Sequence, residues 1–209
     1  MFTIKPSTVE TDREEQLNVT SHLVGLHGSL IAAAIVYLYA SSSTMMFAGM
    51  VFCISSMVTY AASVLYHGVD SPKLKLIFYV IDCSSIYILI ASTASSFLIA
   101  APSSNVTYSF IAILTTLALV GIICKIVFVR AHLIIFAVSY VALGWVAMLL
   151  TSPFVSGVPS SFIMAGGAAY SIGVIFYLSA RLENSHFVWH ICVMLGSLCN
   201  FIALVLVIS

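Results

Sequence analysis

Long apolar runs, broken by short polar stretches, set the pattern of this chain. Seven runs can be marked, at roughly 22–40, 44–66, 76–100, 106–124, 131–151, 158–180 and 187–208. A helix rises 1.5 Å per residue, so about 20 residues cross a hydrocarbon core of ~30 Å. Apolar and polar positions do not alternate within the runs, which argues against barrel strands. Lipid offers the backbone no hydrogen-bond partner, and a helix satisfies its own N–H and C=O groups. The pattern predicts an all-α, polytopic membrane protein with seven transmembrane helices. Asp70-Ser71-Pro72-Lys73, Ala101-Pro102-Ser103-Ser104 and Thr151-Ser152-Pro153 are the clearest breaks. Thr11 and Glu14 have capping-box spacing, so a short helix is expected to start there. The organisation predicted is a cytoplasmic N-terminal segment (1–21) followed by one seven-helix domain (22–209).

Composition strengthens this picture. The chain is 62% hydrophobic and 7% charged, whereas a soluble domain carries roughly 25% charged residues. A net charge of zero gives no electrostatic case for a nucleic-acid partner. The first eighteen residues are polar and lack the pattern of a cleavable signal peptide. The cysteines, Cys53, Cys83, Cys124, Cys192 and Cys199, lie in apolar runs with no CxxC and read as buried free thiols. Ala165, Gly166, Gly167, Ala168, Ala169 and Gly173 give the sixth run a small-residue face suited to close helix packing. The basic residues decide orientation. With seven spans, Lys5, Arg13, Lys73, Lys75, Lys125, Arg130 and Arg181 all fall on one side. Cytoplasmic loops carry the excess of Lys and Arg, so the N-terminus is expected inside and the C-terminus outside.

Chemistry concentrates at the predicted cytoplasmic end. Asp82 is the only acidic residue within a run, and a carboxylate in lipid normally faces a cavity or a partner. His67 ends the second run, while His186 and His190 begin the seventh. Topology puts these four residues at similar depth. His186 and His190 are four apart and share a helix face, as do Ser63 and His67. Three neutral imidazoles suit a borderline metal such as Zn²⁺ and leave a fourth position for water. Polar stripes run inward from this level: Ser56, Thr59 and Ser63; Asp82, Ser85, Ser92 and Ser96; His190, Ser197 and Asn200. They could line a cavity, but by themselves they read as ordinary interhelical hydrogen bonding. His22, His27 and His132, taken singly, read as interfacial or core residues. Glu15, Asn18 and His22 share a face, which keeps them open as residues that orient ligands or line a pocket.

At these positions the chain resembles the hemolysin III family, the bacterial branch of the progestin and adipoQ receptor superfamily. The resemblance covers nearly the whole chain. It rests on Glu15-Gln16-Leu17-Asn18 with His22, and on Ala62-Ser63-Val64-Leu65-Tyr66-His67. It continues in Ile81-Asp82 with Ile86-Tyr87-Ile88-Leu89-Ile90-Ala91, and in His186-Phe187-Val188-Trp189-His190 with Gly196-Ser197. The chain departs from the family pattern at Cys83, at Ser95-Ser96 before Phe97 and at Asn200, which bears on cavity shape and substrate preference. The resemblance implies a seven-helix fold and one zinc ion per chain, held by His67, His186 and His190. It implies that Asp82 holds the metal's water, with Ser63 beside the metal. Similar proteins include adiponectin receptors and, more distantly, alkaline ceramidases.

The function expected is hydrolysis of a lipid amide or ester by an integral membrane zinc protein of a bacterial inner membrane. The first alternative is a non-enzymatic receptor or sensor of membrane state with a structural zinc. A pore-forming hemolysin ranks below both, because the spans carry no rings of charge. The partner expected is a membrane lipid; the sequence leaves its identity and the oligomeric state open. Orientation is testable directly. A reporter at the N-terminus should be active only in the cytoplasm and one after Ser209 only outside; the reverse pattern would overturn the charge argument.

Overall fold

The computed structural model describes residues 11–129, 133–179 and 182–209. Seven helices follow one another: α1 (Asp12–Tyr39), α2 (Ser43–Gly68), α3 (Pro72–Ala100), α4 (Asn105–Val127), α5 (Leu133–Thr151), α6 (Gly157–Tyr177) and α7 (Ser185–Ile208). All seven are long and apolar enough to cross a membrane. The protein is therefore an all-α, multi-pass integral membrane protein.

Local chemistry explains the helix ends. Thr11 caps α1 and Glu14 returns the bond to the Thr11 backbone, which completes the expected capping box. The helix then runs on through the first span. The short N-terminal helix predicted ahead of residue 22 is its opening turns, since nothing between Asp12 and Tyr39 breaks the backbone ladder. Ser42 caps α2, and Ser104 with Thr107 forms a second capping box at α4. Pro72 starts α3, where its missing N–H costs nothing. Ser152–Phe154 forms one 3₁₀ turn after α5, and Gly157 takes a φ of +67° as the chain turns into α6. His132, Arg130 and Arg181 lie outside the described residues.

The helices close a ring, α1–α2–α3–α5–α6–α7 and back to α1. The fourth helix packs outside it, against α3 and α5, while α7 also meets α2 and α3. One apolar core joins Val36, Phe52, Phe97, Leu204 and Ile208 of α1, α2, α3 and α7. A second joins Leu98, Leu114, Phe136 and Leu143 of α3, α4 and α5. At one end of the bundle the α1–α2 connection meets the end of α7, where the Ser41 hydroxyl donates to the Ile208 carbonyl at 2.8 Å. The start of α1 therefore lies at the other end, beside the end of α2 and the starts of α3 and α7.

Lys125 differs from its sequence reading. It was expected in a loop after the fourth span, but α4 runs on to Val127 and Lys125 is only 1% exposed. Its ammonium turns inward onto aromatic faces, 4.1 Å from the Tyr79 ring centroid and 4.4 Å from that of Phe136.

The small face of the sixth span does pack closely. A Cβ on Gly173 would lie 2.7 Å from Cys192 Cβ and 2.7 Å from the Trp189 ring. One on Gly166 would lie 2.6 Å from the Asn200 amide. By contrast, nothing lies within 4 Å of a Cβ placed on Gly144 or Gly167. Gly173→Leu should therefore cost about 1–3 kcal/mol by overpacking, read as a lower melting temperature in detergent. Gly144→Ala should melt like the parent protein.

Candidate metal centre

The end of α2 and the first turns of α7 bring three imidazoles together. His67, His186 and His190 each offer one ring nitrogen, and these atoms all lie within 4.8 Å of one another. Ring centroids are 4.9 Å apart for His67–His186, 5.2 Å for His67–His190 and 4.7 Å for His186–His190. The rings stand nearly perpendicular, at 71°, 72° and 76°. Helical spacing places His186 over His190; only tertiary packing brings α2 to them.

Hydrogen bonds fix which nitrogens face inward. His67 Nδ1–H donates to Glu15 Oε2 at 2.6 Å, and Lys75 donates to the other oxygen of the same carboxylate. An ionised carboxylate only accepts, so the His67 proton sits on Nδ1 and its lone pair on Nε2. The Ser21 hydroxyl lies 2.8 Å from the Asn18 carbonyl and 2.9 Å from His190 Nδ1, so it engages the His190 ring through Nδ1. With the imidazole as donor in that contact and the serine proton on the Asn18 carbonyl, the His190 lone pair lies on Nε2 as well. Metal-binding histidines are normally oriented this way, the second ring nitrogen donating to a carboxylate or another oxygen.

Both orienting groups come from α1, which contributes none of the three histidines. Glu15 and Ser21 share one helix face with Asn18 and His22. The neighbouring Glu14 accepts the Asn184 backbone N–H at 3.0 Å, where the chain takes a φ of 56° and starts α7. The first turns of α1 thus clasp α2, α3 and the head of α7. Sequence spacing pointed to Glu15, Asn18 and His22, but not to Ser21. No motif marks that serine; only its bond to His190 does.

The remaining predicted residues have definite places. His22 is buried and stacks on His190, with centroids 3.6 Å apart and planes at 13°. Lone pairs in parallel planes do not converge on one ion, so His22 is not a fourth ligand. Neither of its ring nitrogens has a hydrogen-bond partner among the described residues. The Ser63 hydroxyl is fully buried and likewise has none. Asp82 lies outside the group of converging ligand atoms. Its electrostatic neighbours include Lys125 and Tyr177, and the Tyr177 ring lies 5.9 Å from that of His186. Ser85 donates to the Asp82 carbonyl at 2.6 Å, while its own carbonyl accepts from Thr59 at 3.2 Å, which ties α3 to α2. Ser197 and Tyr170 share a 2.9 Å bond. Ser56, Ser96 and Asn200 bond back to their own helices. The interhelical bonding expected of the polar stripes is seen at Thr59 and Ser197 only among these residues. His27 is exposed and donates to the Leu23 carbonyl at 2.7 Å, a local role.

A separate apolar cleft opens between α3, α5 and α6, with about 920 Å³ of empty space counted to its mouth. Thr59 and Asn200 contribute to a lining made mostly of apolar side chains, among them Phe97, Trp145 and Trp189. The three histidines do not line it. It runs along the bundle, and its Trp189 adjoins His190 in the chain.

A seven-helix membrane protein with a largely buried three-histidine cluster at one end is the class that fold and site define. A family profile described as "Haemolysin-III related" matches residues 11–201, and the chain belongs to that family. It is 34% identical over 195 residues to the Bacillus cereus protein named "Hemolysin-3", across 90% of this chain and 89% of that protein. It is 32% identical over 207 residues to the "Hemolysin-3 homolog" of Bacillus subtilis strain 168, across 96% and 93% of the two chains.

The orienting role of α1 has a measurable consequence. Glu15→Ala should weaken metal binding by about 10–100-fold, read by competition with a chromophoric chelator. Ser41→Ala, at the opposite end of the bundle, should bind as the parent does.

Proposed function

We propose that this protein is a membrane-embedded zinc hydrolase that acts on a lipid amide or ester, one zinc per chain. The observation that carries the reading is the convergence of three imidazoles. His67, His186 and His190 each offer one ring nitrogen within 4.8 Å of the others, and two of the rings, from different helices, are hydrogen-bonded through Nδ1 to groups of α1. Three neutral nitrogens with no acidic ligand match the donor set of a zinc site that keeps a position open. Bound there, zinc would supply Lewis acidity, lowering the pKa of a coordinated water to about 7 and polarising a carbonyl.

The chain's own groups divide the remaining work. His67, His186 and His190 hold the ion, while Glu15 and Ser21 fix two of those rings. Asp82 stands apart from the ligand atoms, as suits a base that accepts a proton rather than a ligand. The Ser63 hydroxyl, four residues before His67 and without a partner in the chain, can donate to the carbonyl oxygen as it gains charge. The apolar cleft takes the acyl chain and keeps bulk water away. Gly144 and Gly167 line that cleft with open space before them, which leaves a way in from lipid between α5 and α6.

One further observation favours a second reading, a receptor or sensor in membrane homeostasis with a structural zinc. The cluster and its orienting bonds join α1, α2, α3 and α7, so metal occupancy could fix their packing. An exchangeable water on the metal and released lipid products separate the hydrolase from the sensor. Pore formation, which the relatives' names suggest, finds no support in the described interior, where apolar cores fill the bundle.

Metal analysis of detergent-purified protein tests the reading. About one zinc per chain is expected, lost in both His67→Ala and His190→Ala. Hydrolysis of a short-chain ceramide should vanish in His190→Ala and persist in Ser41→Ala. Unchanged turnover by folded, metal-free His190→Ala would remove the mechanism.

A further inference from the structure

His22 is a buried imidazole that the metal-centre reading leaves without a role. It is 4% exposed, and neither ring nitrogen has a hydrogen-bond partner among the described residues. Polar atoms buried in this way cost stability. What the ring does contact is aromatic. It lies face to face with His190, with centroids 3.6 Å apart and planes 13° from parallel. The Tyr60 ring packs against it at 5.1 Å, tilted by 60°. Tyr60 also lies against Gly25, where a Cβ would come within 3.0 Å of its ring. Gly25 follows His22 by three residues, so the missing side chain lets Tyr60 close on α1 beside His22. One ring of α1 is thereby held against a ring of α2 and a ring of α7.

Ser21 and His22, adjacent in the chain, meet the same candidate ligand in different ways. Ser21 engages the edge of the His190 ring, at Nδ1 and 2.9 Å. A single bond at one ring atom leaves the plane free to swing about it, and a ring stacked on its face removes that freedom. The rings around His67 and His186 stand at 59° to 76° instead, so parallel stacking is particular to His190. The face of an aromatic ring is electron-rich, which favours a neighbour that gains positive character when it binds a cation. We infer that His22 is a positioning residue of the metal centre, whose stacked ring fixes the plane of His190 and aims its Nε2 at the other two imidazoles. This rests on the metal-centre reading above. Helix α1 then grips His190 at both edge and face while supplying no ligand atom of its own.

Titration of the detergent-purified protein with Co²⁺, followed by its visible absorption, tests the role on three variants. His22→Phe keeps a flat ring on His190 and should give the parental spectrum at close to the parental affinity. His22→Leu fills the space without a flat face. It should bind Co²⁺ about tenfold more weakly, with an altered spectrum. Val36→Ala opens the core near the other end of α1 and should melt lower while keeping the parental spectrum. An unchanged spectrum and affinity in folded His22→Leu would overturn the positioning role. So would a His22→Phe as defective as His22→Leu, because the ring nitrogens and not the ring face would then matter. A spectral change in Val36→Ala as large as that in His22→Leu would overturn it too, since lost stability alone would explain both. Should one His22 variant fail to fold, the other decides by the same criteria. If the parent binds no Co²⁺, the metal-centre reading falls and this role with it. A parent that binds Co²⁺ beside indifferent His22 variants keeps that reading and removes only this role.

Discussion

In hydrocarbon, a polar group without a partner costs several kcal/mol, and no water is at hand to lower that cost. Every feature of this bundle answers to that constraint. The backbone answers it with seven uninterrupted helices. Ser, Thr and Asn within the spans mostly return their hydrogen bonds to carbonyls of their own helices. Other side chains reach across: Glu15 to His67, Ser21 to His190, Thr59 to Ser85 and Lys125 to Tyr79, and also Tyr87 to Ser139, Tyr140 to the Cys83 carbonyl, Trp145 to Ser171 and Tyr170 to Ser197.

The three-histidine cluster is then best understood as the centre of a small polar region anchored by α1. That helix supplies no candidate ligand, yet it holds two of them through hydrogen bonds to Nδ1. The clasp also ties its first turns to Lys75 at the head of α3 and to Asn184 at the head of α7. The histidine cluster and bundle closure are thereby coupled, since whatever moves α1 also moves the carboxylate that holds His67. The same coupling serves a hydrolase, which needs rigid ligands, and a sensor, which needs a transmitted signal.

The cleft and the cluster are distinct but adjacent. One is apolar and opens between α3, α5 and α6; the other is polar and closed by α1, α2 and α7. An amphipathic ligand, with a long chain and one polar linkage, fits that division better than a small polar one. Gly166, Gly173 and Gly196 keep α6 tight on α7 at the cluster's side. On the cleft side, Gly144 and Gly167 leave room where larger side chains would fill it.

The sequence alone determined the membrane class, the number of spans and their approximate ends, because hydrophobic length is a local property. It also marked His67, His186 and His190, through helical spacing and a shared depth. Glu15, Asn18 and His22 were legible as one face. What α1 does with that face was not, since a bond between Glu15 and His67 spans 52 residues. Ser21 carried no local signal at all. Lys125 was misplaced in a loop, because a lysine near a span end usually snorkels to the surface. Only the tertiary structure supplied the Tyr79 and Phe136 faces that hold it inside. Which helix faces meet is a property of packing across the whole bundle, and no local pattern encodes it.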